Sequence, residues 1–155
     1  MTKTMTPVES LLADLVAIPS MNPMGRGRTG KEYAEQTIAE YVVAFLQQHS
    51  IDVELQEHLP GRPNVHAMIS AGAPDTVLLE AHLDTVHADG MTVEPFKPVV
   101  RDGKLFGRGS CDTKGSMAAF LQAAVEAAKE PKQLRHNIHL LFVSDEEHKF
   151  AGIRK

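Results

Sequence analysis

The sequence predicts a layered α/β/α fold whose sheet is largely parallel or mixed. Segments with the period of an amphipathic helix alternate with short segments typical of strands. Two of those strand segments are almost continuously apolar, and glycine and proline mark the turns between elements. The chain has 155 residues, about one domain's worth, and 43% of them are hydrophobic, which excludes a disordered chain.

The first third of the chain predicts two helices. Residues 6–9 combine a capping box with proline in the first turn, and apolar residues follow at helical spacing as far as Pro19. Residues 20–28, rich in glycine, proline and asparagine, predict a loop. A second capping box at residues 29–32 predicts the start of a longer helix that continues through Leu46.

The rest of the chain predicts strands, a hairpin and a third helix. Residues 77–81 are almost continuously apolar, so we expect a central strand buried on both faces. The other predicted elements are strands at 51–57, 65–69 and 138–143, a hairpin over 99–106 that turns at Asp102-Gly103, and a helix over 117–128.

Composition excludes several classes of function. Sixteen Lys and Arg against twenty Asp and Glu give a net charge of −4, without a segregated basic patch, so we expect no nucleic-acid partner. No apolar stretch approaches the roughly 20 residues that span a bilayer, so we expect no membrane partner. The single cysteine, Cys111, is expected to be a small packed thiol, and with no signal core at the amino terminus it predicts a cytoplasmic protein.

Three polar clusters, at residues 81–87, 107–115 and 144–148, each follow an apolar segment. Ligands of open α/β sheets bind beyond the carboxyl ends of the strands, so imidazole and carboxylates are expected to converge there. Taken singly, each cluster has an ordinary interpretation: a hydrogen-bonded His-x-Asp pair, a glycine loop and a solvated acidic run. His87 and His148 are expected to be loop residues, and His136 and His139 structural ones.

The glycine-rich loop over residues 107–115 also has an alternative interpretation as a phosphate cradle. A P-loop needs Gly-Lys followed by Ser or Thr, whereas the order at Lys114 is Lys-Gly-Ser, which disfavours nucleotide binding. This alternative predicts that ATP protects the protein against heat. An aspartate in a loop stiffened by three glycines fits a bridge between two metal ions better.

The order of the motifs is more specific than any one of them. His-x-Asp begins at residue 82, Gly-Arg-Gly-x-x-Asp-x-Lys-Gly at residue 107, and Asp-Glu-Glu at residue 145. In this order the chain resembles the family of dinuclear zinc hydrolases that contains acetylornithine deacetylase, succinyl-diaminopimelate desuccinylase, aminoacylase and glutamate carboxypeptidase. The resemblance covers essentially the whole chain.

The resemblance implies a role for each motif residue. His82 would ligate one metal ion, Asp112 would bridge two ions, and Glu147 would ligate the second. Glu146 would be the general base and Asp84 would orient the histidine. The peptide bond after Asp112 is often cis in this family.

The resemblance also implies a cofactor, a substrate and an assembly. Two Zn²⁺ ions occupy the complete site, although Co²⁺ or Mn²⁺ suits the same donors. They lower the pKa of water from 15.7 toward about 7 for attack on an amide. The substrate would be an N-acyl amino acid or a short peptide, and a smaller lid domain would make the whole enzyme a homodimer.

The family's catalytic domain is longer than this chain and adds one acidic and one histidine ligand downstream. We therefore expect residues 1–155 to be the amino-terminal part of an incomplete zinc-exopeptidase-like domain that lacks the lid and the C-terminal half. Such a segment would be poorly active and would expose an apolar sheet edge. The alternative is a non-catalytic half-domain that associates with a complementary chain.

Overall fold

The computed structural model describes residues 4–154, which form three α-helices, six strands and one short 3-10 turn. Over this range no helix combines the length and the apolar character needed to cross a bilayer. The helices are α1 (Pro7–Ala17), α2 (Gln36–Gln48) and α3 (Lys114–Lys129), and the strands are β1 (Asp52–Leu59), β2 (Arg62–Ile69), β3 (Thr76–His82), β4 (Val99–Arg101), β5 (Lys104–Phe106) and β6 (Asn137–Val143).

Four strands form a mixed sheet in the order β1-β2-β6-β3, which confirms the predicted α/β class. The pairs β1/β2 and β2/β6 are antiparallel, and β3/β6 is parallel. The prediction that residues 77–81 form a central strand is wrong, because β3 lies at an edge and Leu78 is 53% exposed. An apolar run shows that a strand is hydrophobic but does not show which strands lie beside it. It therefore could not distinguish a central strand from an edge strand.

One face of the sheet carries the core. Alternate residues of β2 and β6, such as Val65, Ala67 and Leu140, pack with buried residues of all three helices. The opposite face includes Met68 and Leu78, both exposed. Residues 4–154 therefore supply one helical layer and the sheet, and the second helical layer of the expected α/β/α arrangement is not found among them.

The two predicted capping boxes had different outcomes. At α1, the Thr6 backbone N–H donates to Glu9 Oε2 at 2.6 Å, and the Glu9 N–H donates to Thr6 Oγ1 at 3.4 Å, as predicted. The second box is wrong, because α2 begins at Gln36. Residues 29–34 are instead held in a loop by long-range contacts, including the Met21 N–H donating to the Glu32 carbonyl at 2.9 Å.

The predicted hairpin is confirmed in β4 and β5, which pair on either side of Asp102 and Gly103. These two residues have φ values of +52° and +71°, as a two-residue type I′ turn requires. The hairpin ends at Phe106, directly before the glycine-rich loop.

Replacing Leu140 with Ala is expected to lower the free energy of unfolding by about 2–5 kcal/mol, since removing buried methyl groups leaves a cavity. Leu140 is 0% exposed on β6, which lies between β2 and β3. Urea unfolding followed by circular dichroism measures the change. The matched control is Leu78→Ala at a 53% exposed position, where we expect a change within about 0.5 kcal/mol. Equal effects at both positions would contradict the assignment of the core face.

Candidate metal centre

The first and third polar clusters meet because their strands are parallel neighbours. In the β3/β6 ladder His82 pairs with Val143, so both strands end at the same edge of the sheet. The loop that follows β6 therefore starts beside His82. The Leu83 N–H donates to the Val143 carbonyl at 2.7 Å and extends this pairing past the end of β3.

The glycine-rich loop brings the second cluster to the same edge. At Gly109, with φ +78°, a Cβ atom would lie 2.8 Å from Cγ2 of Thr85, so a side chain would prevent this approach. At Gly107 a Cβ would lie 2.3 Å from Cγ1 of Val16. Asp112 follows these turns, and its peptide bond to Thr113 is cis, as the resemblance implied.

His82, Asp112 and Glu147 converge on one point. One ligand atom from each lies within 4.8 Å of the other two, and no other group of three such donors is found in the described part of the chain. His82 Nε2 lies 3.0 Å from Asp112 Oδ1, and the His82 side chain is 10% exposed. Imidazole nitrogen and carboxylate oxygen are ligands of zinc, and three protein ligands are usual at a catalytic zinc. The donor set therefore fits a divalent metal ion.

Asp84 contacts both His82 and the loop that carries Glu146 and Glu147. His82 Nδ1 lies 2.8 Å from the Asp84 backbone carbonyl and 3.7 Å from Asp84 Oδ1, so the backbone carbonyl makes the closer contact. The buried carboxylate accepts the backbone N–H groups of Glu146 and Glu147, each at 3.1 Å. One residue thus directs His82 Nε2 toward the ligands and holds the loop that carries both glutamates.

The site concentrates negative charge. Burial raises the pKa of Glu147, and the carboxylates of Asp112, Asp84 and Glu146 raise this pKa further, while His82 lowers it. A bound cation would offset this repulsion.

Burial alone lowers the pKa of His82, but the Asp84 carbonyl and the Asp84, Asp112 and Glu146 carboxylates raise this pKa above its ordinary value. A raised pKa means that the His82 ring holds its second proton more tightly, and a metal ion must displace this proton in order to bind the ring. We therefore expect metal affinity to fall as the pH decreases through the His82 pKa.

The other residues singled out in the sequence lie outside this group of donors. Cys111 is exposed, so the expectation of a packed thiol is wrong. His87 and His148 lie in loops, as predicted. His139 is partly buried on β6, and its ring stacks on a histidine of β2. His136 is exposed just before β6.

A family model described as Peptidase family M20/M25/M40 matches residues 78–155, which include all three motifs. The chain belongs to this family. The predicted class of metal-dependent hydrolase is thereby confirmed at the level of the family.

Curated relatives of this M20 chain include an uncharacterized metallohydrolase of Methanocaldococcus jannaschii, 36% identical over 88% of this chain and 36% of that protein. A succinyl-diaminopimelate desuccinylase of Gluconacetobacter diazotrophicus is 32% identical over 95% of this chain and 37% of that protein. The M20 chain thus spans about a third of the length of the curated relatives it matches.

Two solved structures support the fold. An M20 family metallo-carboxypeptidase from Sulfolobus solfataricus matches 92% of this chain and 32% of its own, with a TM-score of 0.76 and 24% identity, which bears on the fold alone. Human carnosine dipeptidase 1 matches 90% of this chain and 32% of its own, with a TM-score of 0.71 and 27% identity.

A cavity of about 130 Å³ borders Glu146, the expected general base. It is lined by Glu80, Val143, Ser144, Glu146, Phe150 and Ile153. A larger cavity, of about 400 Å³, lies on the open sheet face, the face opposite the core that includes Met68 and Leu78. None of the motif residues lines this cavity.

Sequence reasoning missed the polar residues that surround the M20 motifs. Asn22, Glu35 and Arg62 are buried or nearly so and contact the motif loops, although none belongs to a motif. Lys114 lies in a motif but had no assigned role; its Nζ donates to the Ile18 carbonyl at 2.6 Å, and burial lowers its pKa to about 7. No local pattern pairs these residues, because their partners are distant in sequence.

Proposed function

We propose that this M20 chain carries the metal-binding and proton-transfer residues of an amidohydrolase. The observation that carries the proposal is the convergence of His82, Asp112 and Glu147, with Glu146 Oε2 3.8 Å from His82 Nε2. The substrate class would be N-acyl amino acids, or short peptides cleaved next to a free carboxylate. Relatives named desuccinylase and a neighbour named dipeptidase support this class.

His82, Asp112 and Glu147 would hold the metal, and in a complete site Asp112 would be the ligand that the two ions share. Zinc suits this donor set, and cobalt or manganese would also bind it. When bound, the metal supplies a water of lowered pKa and polarises the scissile carbonyl. Because the described residues offer one such group, without the further acidic and histidine ligands that the resemblance implies, we expect residues 1–155 alone to bind zinc weakly and at one site.

Glu146 is the proposed general base. Its backbone N–H is fixed by Asp84, while its side chain is 39% exposed and lies outside the group of three ligands. In hydrolysis the carboxylate takes one proton from water as the oxygen attacks the carbonyl carbon. It then gives that proton to the nitrogen of the leaving amine as the C–N bond breaks. The oxygen and one hydrogen of each water molecule thus become the hydroxyl of the new acid, and the other hydrogen is transferred to the amine.

The test is metal-dependent hydrolysis by the protein as its gene encodes it. The purified protein is stripped with a chelator, and zinc, cobalt or manganese is restored. The release of free amine is then measured with N-acetyl and N-succinyl amino acids and with dipeptides. We expect activity to disappear with the metal and to return with it. Failure to hydrolyse any of these amides with any of the three metals would contradict the proposal.

The open sheet face favours one alternative, a half-domain that associates with a complementary chain. Met68 and Leu78 expose 43% and 53% of their surface there. Zinc binding without turnover, together with a larger mass in a mixture with the complementary chain, would favour this alternative. The homodimer implied by the resemblance stays a prediction that light scattering on the whole protein tests.

A further inference from the structure

Arg62, the first residue of β2, joins two buried carboxylates. Its Nε and Nη2 donate to the two carboxylate oxygens of Glu35 at 2.8 and 2.6 Å, and its Nη1 donates to Asp145 Oδ1 at 2.8 Å. The three side chains are 11%, 0% and 3% exposed, respectively. Paired charged hydrogen bonds of this kind are strong and directional. One guanidinium therefore fixes two acids from separate parts of the chain.

Asp145 directly precedes Glu146, and both its backbone and its carboxylate are held. Its N–H donates to Glu35 Oε1 at 3.1 Å, and its Oδ2 accepts the Ala151 N–H at 3.3 Å. Its φ of +62° is uncommon for a residue other than glycine. These contacts set the direction of the chain where β6 passes into the loop with the two glutamates.

Asn22 connects this cluster with Asp84. Its Nδ2 donates to Asp84 Oδ2 at 2.6 Å and to Asp145 Oδ1 at 3.0 Å. Asp84 in turn accepts the backbone N–H groups of Glu146 and Glu147. The loop is therefore held by the Asp84 carboxylate and by the contacts of Asp145 with Glu35 and Arg62, and the Asn22 amide links Asp84 to Asp145.

The balance of charge in this cluster depends on Arg62. Arg62 forms ion pairs with both Glu35 and Asp145, and no other lysine or arginine of residues 4–154 pairs with either carboxylate. Burial raises the pKa of Glu35, and Arg62 opposes that rise. Burial also acts to raise the pKa of Asp145, but Asn22 and Arg62 hold it below its usual range. Without the guanidinium, both buried carboxylates would lose their ion-pair partner, and the loop that Asp145 begins would lose one of its contacts with β2.

We infer that Arg62 is a positioning residue that sets the geometry of Glu146 and Glu147 through Glu35 and Asp145. This inference rests on the proposed function, in which Glu147 is a ligand and Glu146 the base. A lysine would keep the charge but could not reproduce three hydrogen bonds in one plane. The shape of the guanidinium, as well as its charge, is therefore required.

The experiment compares Arg62→Met, Arg62→Lys and the matched control Arg101→Met in the zinc-loaded protein as its gene encodes it. Arg101 is the control because its side chain is 65% exposed on the β4–β5 hairpin. Zinc affinity is measured by competition with a chromophoric chelator, and kcat and KM are measured on the best amide substrate. Both quantities are normalised to the folded fraction.

For Arg62→Met we expect zinc affinity to fall by about 10–100-fold, as for other groups that support metal ligands. We expect kcat to fall by about 100-fold with KM nearly unchanged, because a small displacement of a catalytic group has this effect. Arg62→Lys should lose about tenfold in kcat, a value between those of the wild type and Arg62→Met. Arg101→Met should match the wild type.

A purely structural role would lower the unfolding temperature but leave zinc affinity and kcat per folded molecule unchanged, and that result would overturn the inference. Where Arg62→Met does not fold, Arg62→Lys decides by the same two readouts. A wild-type protein inactive on every amide would count against the proposed function. The ratio of zinc affinities between wild type and variant would still decide the role of Arg62.

Discussion

Replacing Glu146 with Gln is expected to lower kcat/KM by about 10²–10⁴-fold, the usual contribution of a general acid–base group. Glutamine keeps the size of the side chain and the backbone N–H that Asp84 accepts, but it cannot take a proton. Because Glu146 lies outside the three-ligand group, zinc content is expected to stay at the wild-type level. Activity and zinc content must therefore separate in this variant.

Glu147→Gln provides a matched control, since it is the same substitution one residue later. Both backbone N–H groups donate to Asp84 at 3.1 Å, so neither substitution removes the backbone contact that holds the loop. Glu147→Gln should lose zinc as well as activity, because an amide is a weaker zinc ligand than a carboxylate. Amide hydrolysis and atomic absorption measure the two properties. If Glu146→Gln keeps wild-type turnover, or if it loses zinc while Glu147→Gln retains it, the assigned roles are wrong.

Local signals in the sequence predicted elements whose structure is itself local. The cap at Thr6 and Glu9 and the turn at Asp102 each depend on residues within four positions of one another, and both form as predicted. The cap expected at Thr29 failed because residues 21 and 32, distant in sequence, pair instead. A capping pattern describes what a helix start would gain and does not describe competing contacts.

The place of β3 in the sheet could not be read from its composition. Its parallel partner β6 begins at Asn137, far along the chain, and the order of strands is decided by such pairings. The run over residues 77–81 correctly predicted a strand, and His82 of the candidate metal group lies at the carboxyl end of that strand. Strand identity is a local property, whereas edge position is a property of the assembled sheet.

The candidate site divides in the same way. His82, Asp112 and Glu147 were predicted as ligands from the resemblance of their motifs to the dinuclear zinc hydrolases, and the structure brings one ligand atom of each within 4.8 Å of the others. Arg62 lies between the predicted strands at 51–57 and 65–69, and its partner Glu35 lies in the predicted second helix. Supporting residues need only lie close in space, so their types and spacings follow no pattern along the chain.

Replacing His82 with Ala is expected to lower zinc affinity by more than about 100-fold, since even groups that only support a ligand account for 10–100-fold. His82 is the one nitrogen donor of the group, and its Nε2 lies 3.0 Å from Asp112 Oδ1. Competition with a chromophoric chelator over a range of pH measures the loss. His136→Ala is the control, because this histidine is exposed and lies outside the group of donors.

The dependence on pH separates a lost ligand from a disturbed fold. The pKa of His82 is raised in the folded protein, so protons compete with zinc at a pH above the ordinary value for histidine. In the wild type, zinc affinity should fall as the pH decreases through that pKa, whereas in His82→Ala this part of the slope should vanish. A fold disturbed elsewhere would weaken binding at every pH and leave the slope intact. If His82→Ala binds zinc with the wild-type slope, the ion is not held where β3 and β6 end, and Glu146 has no metal-activated water to deprotonate.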